Sequence, residues 1–376
     1  MLNQTIILLV RRVSTHSVSR WNRCFSASVS ENVEENKSDP ASSVLDKNRS
    51  NQQKSEKLIK VAIIGIPNAG KSTLINHLIN HRVCPTSMKV HTTRKAAKAI
   101  QNRANSQMIL FDTPGLVGER ERKRHQLDSE FVSACRHAIQ NSNLVGVVHD
   151  VSNSWTRNSL NPILLEVLRQ YAHIPSFLVL NKVDTLKSKR VLLDIVRNIT
   201  NNQMENIKNY HVKKRKSLAQ ETDSKREREL SKEQTGWSHF TEVFMVSAIT
   251  GDGLKEVMNF IYSHAQPGTW EHLATENTDQ TPENLIVQSV QARLLDYLPQ
   301  EIPYLLQTEL EFYENIRGRI YASAVVTCPN ARLERLVCGE SNGKLRQITE
   351  RVTSDLIETF TAPVSLTIVT RLKSKE

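Results

Sequence analysis

Gly65-Ile66-Pro67-Asn68-Ala69-Gly70-Lys71-Ser72 is the stretch on which the fold is decided. It fits the pattern G-x-x-x-x-G-K-[ST]. The residues before it, 58–64, end in the apolar run Val61, Ala62, Ile63 and Ile64 and read as a short buried strand. The residues after it, 73–78, read as a helix. Strand, glycine loop and helix are the context in which this motif cradles phosphate. A phosphate chain needs many donors converging on one place. Glycines let the backbone curl so that its N–H groups face inward, and a helix N-terminus adds the positive end of its dipole. Lys71 is expected to reach the β- and γ-phosphates and Ser72 to ligate Mg²⁺, with Gly65 to Thr73 lining the phosphates.

Further pieces follow in chain order. Residues 106–111 read as a strand that delivers Asp112-Thr113-Pro114-Gly115 at its end. Asp112 is placed to hold Mg²⁺ through water, and the Gly115 amide to sense the γ-phosphate. Thr92 and Thr93 lie between the two motifs in a polar loop. Thr93 is the candidate to give its hydroxyl to Mg²⁺ when a triphosphate is bound. Lys71, Thr93 and Gly115 form the candidate catalytic set.

The base is chosen later in the chain. Residues 176–180 form a buried strand that ends in Asn181-Lys182-Val183-Asp184. A carboxylate at Asp184 can accept from guanine N1–H and the 2-amino group, a donor pair that adenine lacks. The methylene stem of Lys182 can cover the base. A strand at 243–246 leads to Ser247-Ala248, and the Ala248 amide is expected to face guanine O6. Each motif alone is weak. Four in order, three of them at strand ends, specify an α/β domain over residues 57–265. It should have a mostly parallel sheet, helices on both faces, and GTP or GDP with Mg²⁺ as ligands.

Leu116 follows the Asp112–Gly115 motif, where many small GTPases have a Gln that orients the attacking water. An apolar side chain cannot do that. Slow hydrolysis is expected, quickened by a partner, by RNA or by ordering of the switch loops.

Residues 186–233 separate the two base-reading motifs and are rich in charge, including Lys213-Lys214-Arg215-Lys216 and Lys225-Arg226-Glu227-Arg228. They read as an inserted, solvated helical or mobile excursion. It is either a plain surface feature or an auxiliary RNA contact.

Pro267, Gly268 and the polar residues 275–281 mark a linker over 266–281. A second, smaller α+β module is expected over 282–372. Pro282-Glu283 opens a helix with Leu285, Ile286, Val290, Leu294 and Leu295 at helical spacing, and Pro303 is expected to break it. Strands follow at 305–313 and 318–328, the latter with Ile320, Ala322, Ala324 and Val326 on one face. A helix at 332–337, the loop Gly339-Glu340-Ser341-Asn342-Gly343, a helix at 344–360 and a strand at 364–370 complete it.

The order α-β-β-α-α-β with a glycine loop between the middle helices is a KH-type layout for single-stranded RNA. The loop backbone clamps sugar-phosphate, and Arg335, Lys344 and Arg346 flank it. KH loops read Gly-x-x-Gly, but here Asn342 stands at the second glycine, with Gly343 one later. Asn tolerates left-handed backbone, so the loop can form with a weaker clamp. The alternative is a small α+β domain that binds protein.

The chain of 376 residues carries a formal charge of +11 and a pI of about 9.4, which suits a polyanionic partner but also an ordinary basic protein. Hydrophobic content of 39% supports a packed core and argues against wholesale disorder. Cys24, Cys84, Cys135, Cys328 and Cys338 lack metal-ligand spacing. No apolar run is long enough for a transmembrane helix. Residues 1–30 contain no Asp or Glu but carry Arg11, Arg12, Arg20 and Arg23 among Ser and apolar residues. That is a mitochondrial presequence composition, with a flexible polar stretch expected at 31–56.

The chain resembles the Era family of GTPases over about residues 57–372. The resemblance rests on Gly65 to Ser72, His91-Thr92-Thr93-Arg94, Asp112 to Leu116, Asn181 to Asp184, Ser247-Ala248 and Glu301-Ile302-Pro303-Tyr304. It implies binding near the 3′ end of small-subunit ribosomal RNA and a chaperone role in small ribosomal subunit assembly. With the presequence, it further implies the mitochondrial matrix and peripheral contact with the matrix face of the inner membrane. The long insertion and the altered glycine loop depart from the family pattern. A GTPase of tRNA modification or membrane traffic is the competing class, but the first would need a further catalytic domain and the second would usually lack the KH layout.

Overall fold

A computed structural model describes residues 56–87, 97–116, 130–202, 235–299 and 301–373. The chain divides into two units, Met1–Gln53 and Lys54–Glu376, and the described residues all belong to the second. The expected presequence, the stretch following it to 55, Thr92 and Thr93, and the basic runs of the insertion lie outside the described residues.

The larger sheet has the strand order β2-β3-β1-β4-β5-β6. Its strands are β1 (Lys57–Ile64), β2 (Ala97–Arg103), β3 (Ser106–Asp112), β4 (Leu144–Asp150), β5 (Ser176–Asn181) and β6 (Phe240–Met245). Pairing is parallel from β3 through β6, whereas β2 runs antiparallel to β3. The short β7 (Gln266–Pro267) adds antiparallel to β1. The unbroken apolar runs follow from covering both faces. Ala62 and Ile64 point into one core with α2 (Glu130–Gln140), α3 (Pro162–Gln170) and α4 (Val191–Ile199). Val61 and Ile63 point into the other with α1 (Lys71–Ile79) and α5 (Leu254–Ser263). The C-terminal ends of β1, β3, β4 and β5 therefore share one edge, where open α/β sheets hold their ligands.

Two elements differ from expectation. The strand β2 carries Lys98, Gln101, Asn102 and Arg103 and lacks a β-branched run, so nothing in its sequence marks it as a strand. Within the expected solvated excursion at 186–233, residues 191–199 form α4. That helix buries Leu192, Ile195 and Ile199 in the sheet core despite Asp194 and Arg197 on its outer face. Close after it, the Trp237 amide donates to Ile199 O at 2.7 Å and Asn201 Nδ2 to Gly236 O at 3.2 Å.

The second sheet has the order β10-β9-β8. It consists of β8 (Gln307–Ile316), β9 (Arg319–Cys328) and β10 (Val364–Leu372), with β9 antiparallel to β8 and parallel to β10. One face is covered by α6 (Pro282–Tyr297), α7 (Ala331–Cys338) and α8 (Gly343–Phe360). Ile286, Val290, Ala324, Val326, Ile348, Val352 and Leu356 form the core between them. Thr281 caps α6 by accepting from the Asn284 amide. Pro303 is not what ends this helix: α6 stops at Tyr297, two residues before Pro299, and Pro303 sits in a 3₁₀ turn at Ile302–Leu305. The layout is the expected α-β-β-α-α-β.

The polar residues between the two sheets are not a free tether. The Ile100 amide donates to Asn277 O at 2.9 Å, and the Lys98 amide to Asp279 Oδ1 at 3.0 Å. The fully buried Gln107 accepts from the Glu271 and His272 amides and donates to His272 O. A charged cluster adds a second tie. Arg82, just past α1, meets Asp355 and Glu358 of α8, and Ser87 Oγ donates to Asp296 Oδ1 of α6 at 2.7 Å. Among the described residues, no helix is long and apolar enough to cross a membrane.

Candidate nucleotide-binding site

The loop from β1 to α1 turns at Gly70, whose φ of +91° disfavours any other residue; a Cβ there would also lie 2.3 Å from Asn181 Nδ2. Lys71 is the first residue of α1 and is buried. Its Nζ donates to Gly65 O at 3.2 Å and Ile66 O at 3.0 Å. Burial lowers its pKa from 10.5 to about 8, against the opposing pull of the Asp112 charge.

Ser72 Oγ donates to Asp112 Oδ2 at 2.7 Å. The first turn of α1 and the last residue of β3 thus present a hydroxyl and a carboxylate at one point. Both are hard oxygen donors, the type that suits Mg²⁺. Thr113 Oγ1 donates to Ile63 O at 2.7 Å, fixing the strand end beside β1. Past Pro114, Gly115 presses on Pro67, where a Cβ would come within 2.7 Å of Pro67 Cα. The Leu116 amide donates to Gly65 O at 3.0 Å, and its side chain joins the core. No side-chain polar group is available at 116. Thr93 lies outside the described residues.

The base-side loops are organised by Asn181, which is 1% exposed. Its Nδ2 donates to Ala69 O at 2.8 Å. Its Oδ1 accepts from the Lys182 amide at 2.8 Å and the Ala248 amide at 3.0 Å. One side chain therefore brackets three loops. The Ala248 amide, expected to face guanine O6, donates to Asn181 in the nucleotide-free protein. The reason is the close approach of the two strand ends, with the Val246 amide donating to Leu180 O at 2.8 Å. Asp184 sits exposed in a 3₁₀ turn, Val183–Thr185, and Ser247 is buried beneath it, with the Val183 amide donating to Val246 O.

Motif reading missed Asp150, the last residue of β4 and the register partner of Asn181. Its Oδ2 accepts from Lys182 Nζ at 2.6 Å. A strand-end aspartate next to the Asn181 motif was the available signal, visible only once β4 and β5 were known to be neighbours.

In the C-terminal sheet, the loop between α7 and α8 has Gly339 at φ +71°, Ser341 at +48° and Asn342 at +60°. Gly343 has φ −63° and is the first residue of α8, so Asn342 supplies the left-handed position. Arg335 and Arg346 are exposed, and Lys344 packs over Gly339. Arg346 pairs with Glu350 at 2.9 Å, a solvent-exposed pair that holds little energy.

A family model described as 50S ribosome-binding GTPase matches residues 60–182, the nucleotide loops as far as Lys182. The chain is 33% identical to the mitochondrial GTPase Era of Salmo salar over 86% of its length and 78% of that protein's. It is equally similar, at 33%, to the mitochondrial GTPase Era of Danio rerio over 86% of its length and 77% of that protein's. A crystal structure of Era with MgGDPNP and nucleotides 1506–1542 of 16S ribosomal RNA superposes with a TM-score of 0.65 at 21% identity, covering 85% of this chain and 94% of that one. This last likeness speaks for the fold.

Proposed function

Since the chain belongs to the Era family of GTPases, we propose that it is a GTP-hydrolysing RNA chaperone that binds small-subunit ribosomal RNA near its 3′ end and assists assembly of the mitochondrial small ribosomal subunit. The observation that carries the nucleotide half is the convergence of Lys71, the Ser72–Asp112 pair and the Asn181 bracket on one sheet edge. For GTP, the Lys71 ammonium exchanges two main-chain carbonyls for phosphate oxygens, a better match for its charge. Ser72 and, through water, Asp112 would hold Mg²⁺, which would supply positive charge to offset that of the phosphates. Thr93 completes that shell in the triphosphate state, and the Gly115 amide donates to the γ-phosphate. Asp184 selects guanine through its two ring-edge donors. Leu116, turned into the core, leaves the attacking water unoriented, so turnover waits on a partner.

The RNA half rests on the C-terminal layout and on the similar Era structure, which contains a 16S ribosomal RNA segment. The left-handed loop 339–342 clamps the backbone of a single strand, with Arg335, Lys344 and Arg346 for phosphates. Residues 57–265 form the nucleotide domain and 282–372 the RNA domain in this reading. The relatives' names and the acid-free residues 1–30 support import into the mitochondrial matrix, with peripheral contact at the inner membrane.

Crosslinking in mitochondria, with and without a non-hydrolysable GTP analogue, tests the proposal. The expected result is enrichment of the small-subunit rRNA 3′ end, stronger with the analogue. Enrichment of tRNA, or of no RNA, refutes it. Single-turnover hydrolysis by the protein alone should be slow and should quicken when that RNA is added.

A further inference from the structure

Lys182 has a left-handed backbone, φ +67° and ψ +35°, which a residue with a Cβ adopts only when its surroundings compel it. Three contacts supply the compulsion. Its amide is held by Asn181 Oδ1, the next amide is held by Val246 O, and its ammonium is drawn to Asp150 Oδ2 at 2.6 Å. Asp150 is itself fixed. Its Oδ1 accepts from Ser152 Oγ at 2.6 Å and from the Ser152 amide at 2.8 Å. Burial works against the Asp150 carboxylate, yet the hydrogen bonds from Lys182 and Ser152 outweigh it and hold the carboxyl below its usual value. The pair is only partly solvated, with side-chain exposures of 28% for Lys182 and 14% for Asp150.

A lysine pinned at both its amide and its ammonium has its four methylenes stretched between two fixed points. That stem is an apolar rail beside the Asn181–Asp184 loop, and it costs less to hold for binding because little rotamer freedom is left to lose. We propose that Asp150 is a positioning residue for nucleotide binding, drawing the Lys182 stem into the pose that covers the purine. The proposal rests on the guanine-site reading above and deepens it. Asp150 touches no nucleotide in this arrangement; it acts through Lys182. A stem covers a ring whatever the ring's edge carries, so the effect of Asp150 does not depend on the exocyclic groups of the base. Asp184, which reads those groups, must behave differently.

The test is calorimetric titration of the nucleotide-free full chain with GDP and with IDP, which lacks the 2-amino group. Asp150→Ala and Asp150→Asn are compared with Lys182→Ala and the double variant Asp150→Ala/Lys182→Ala. Asparagine keeps the oxygen that Ser152 needs but turns an amide NH₂ toward the ammonium, so it preserves the turn and breaks the pair. Both Asp150 variants should weaken GDP about tenfold, the scale of a charge-assisted hydrogen bond. They should weaken IDP by the same factor, and the double variant should match Lys182→Ala to within about twofold. Unchanged GDP affinity in Asp150→Asn overturns the proposal. So does multiplication of the two single effects in the double variant, or a change in the GDP-to-IDP ratio. Failure of the wild-type chain to take up GDP would instead overturn the guanine-site reading, so the two failures are distinguishable.

Discussion

Replacing Asn181 with Ala should damage the nucleotide-free protein before any ligand is considered. The side chain makes three hydrogen bonds, to Ala69 O at 2.8 Å and from the Lys182 and Ala248 amides at 2.8 and 3.0 Å. Ala69 and Ala248 are 0% and 2% exposed, so water cannot replace Asn181 there, whereas the Lys182 amide is nearer to solvent. A buried polar group left unpaired costs about 1–3 kcal/mol, and two such groups give a loss of about 4 kcal/mol. For a domain of this size each kcal/mol is worth about 2–4 °C, so the melting temperature should fall by roughly 10 °C. The assay is thermal unfolding of nucleotide-free wild type and variant, followed by the same scan with excess GDP. The variant should also bind GDP more weakly, because the loops it no longer joins must be ordered by the ligand. If the nucleotide-free variant melts within about 2 °C of wild type, the bracket is not structural and the reasoning fails. Asn181 would then matter only as a ligand contact.

Two further outcomes follow from the same site. Asp184 is exposed, so Asp184→Asn should leave nucleotide-free melting unchanged while lowering GDP affinity by at least about 100-fold and raising that for xanthosine diphosphate, whose C2 carbonyl accepts from the new amide; equal melting with equal GDP affinity would remove Asp184 from the base site. Lys71 has a folded pKa of about 8, below its unfolded value of 10.5, so between those values the unfolded chain binds more protons and the stability of the nucleotide-free protein gains from this residue as pH rises. GDP affinity should fall over the same interval, by up to about tenfold per pH unit, because the amine must regain a proton to meet phosphate. Calorimetry near pH 9 in buffers of different ionisation enthalpy should show proton uptake on binding, and Lys71→Met should abolish it.

The parts of the site that lie in local sequence were legible because local geometry suffices to make them. A glycine loop between an apolar strand and a helix can fold in few ways, and Gly70 at φ +91° is where the motif requires it. Ile320, Ala322, Ala324 and Val326 were readable for the same reason: period-two burial leaves a mark in the letters. What could not be read depends on which distant segments become neighbours. The strand β2 owes its place to a hairpin with β3 rather than to its own composition. The charges of α4 hid a buried stripe of only three residues. Asp150 becomes significant only because β4 and β5 are adjacent. The bond from the Ala248 amide to Asn181 likewise joins two loops that are distant in sequence.

The relation between the two halves of the chain has the same origin. Read along the sequence, a polar stretch separates a nucleotide module from a smaller one. In three dimensions that stretch is hydrogen-bonded along β2, the strand that follows residues 88–96 and hence Thr93. On the other side of the same residues, Ser87 bonds Asp296, and Arg82 meets Asp355 beside Arg293. Asp355 is 3% exposed, so its pairs with Arg82 and Arg293 are poorly screened, and removal of the carboxylate would leave Arg82 with Glu358 and Arg293 with Asp296 but sever the link between them. One end of the stretch that carries the candidate magnesium-ligating threonine is thus fastened to the polar stretch between the two modules, and the other to the C-terminal module. Such a fastening needs polar side chains at the boundary, which is why the boundary reads as a solvated linker in sequence and as a joint in space.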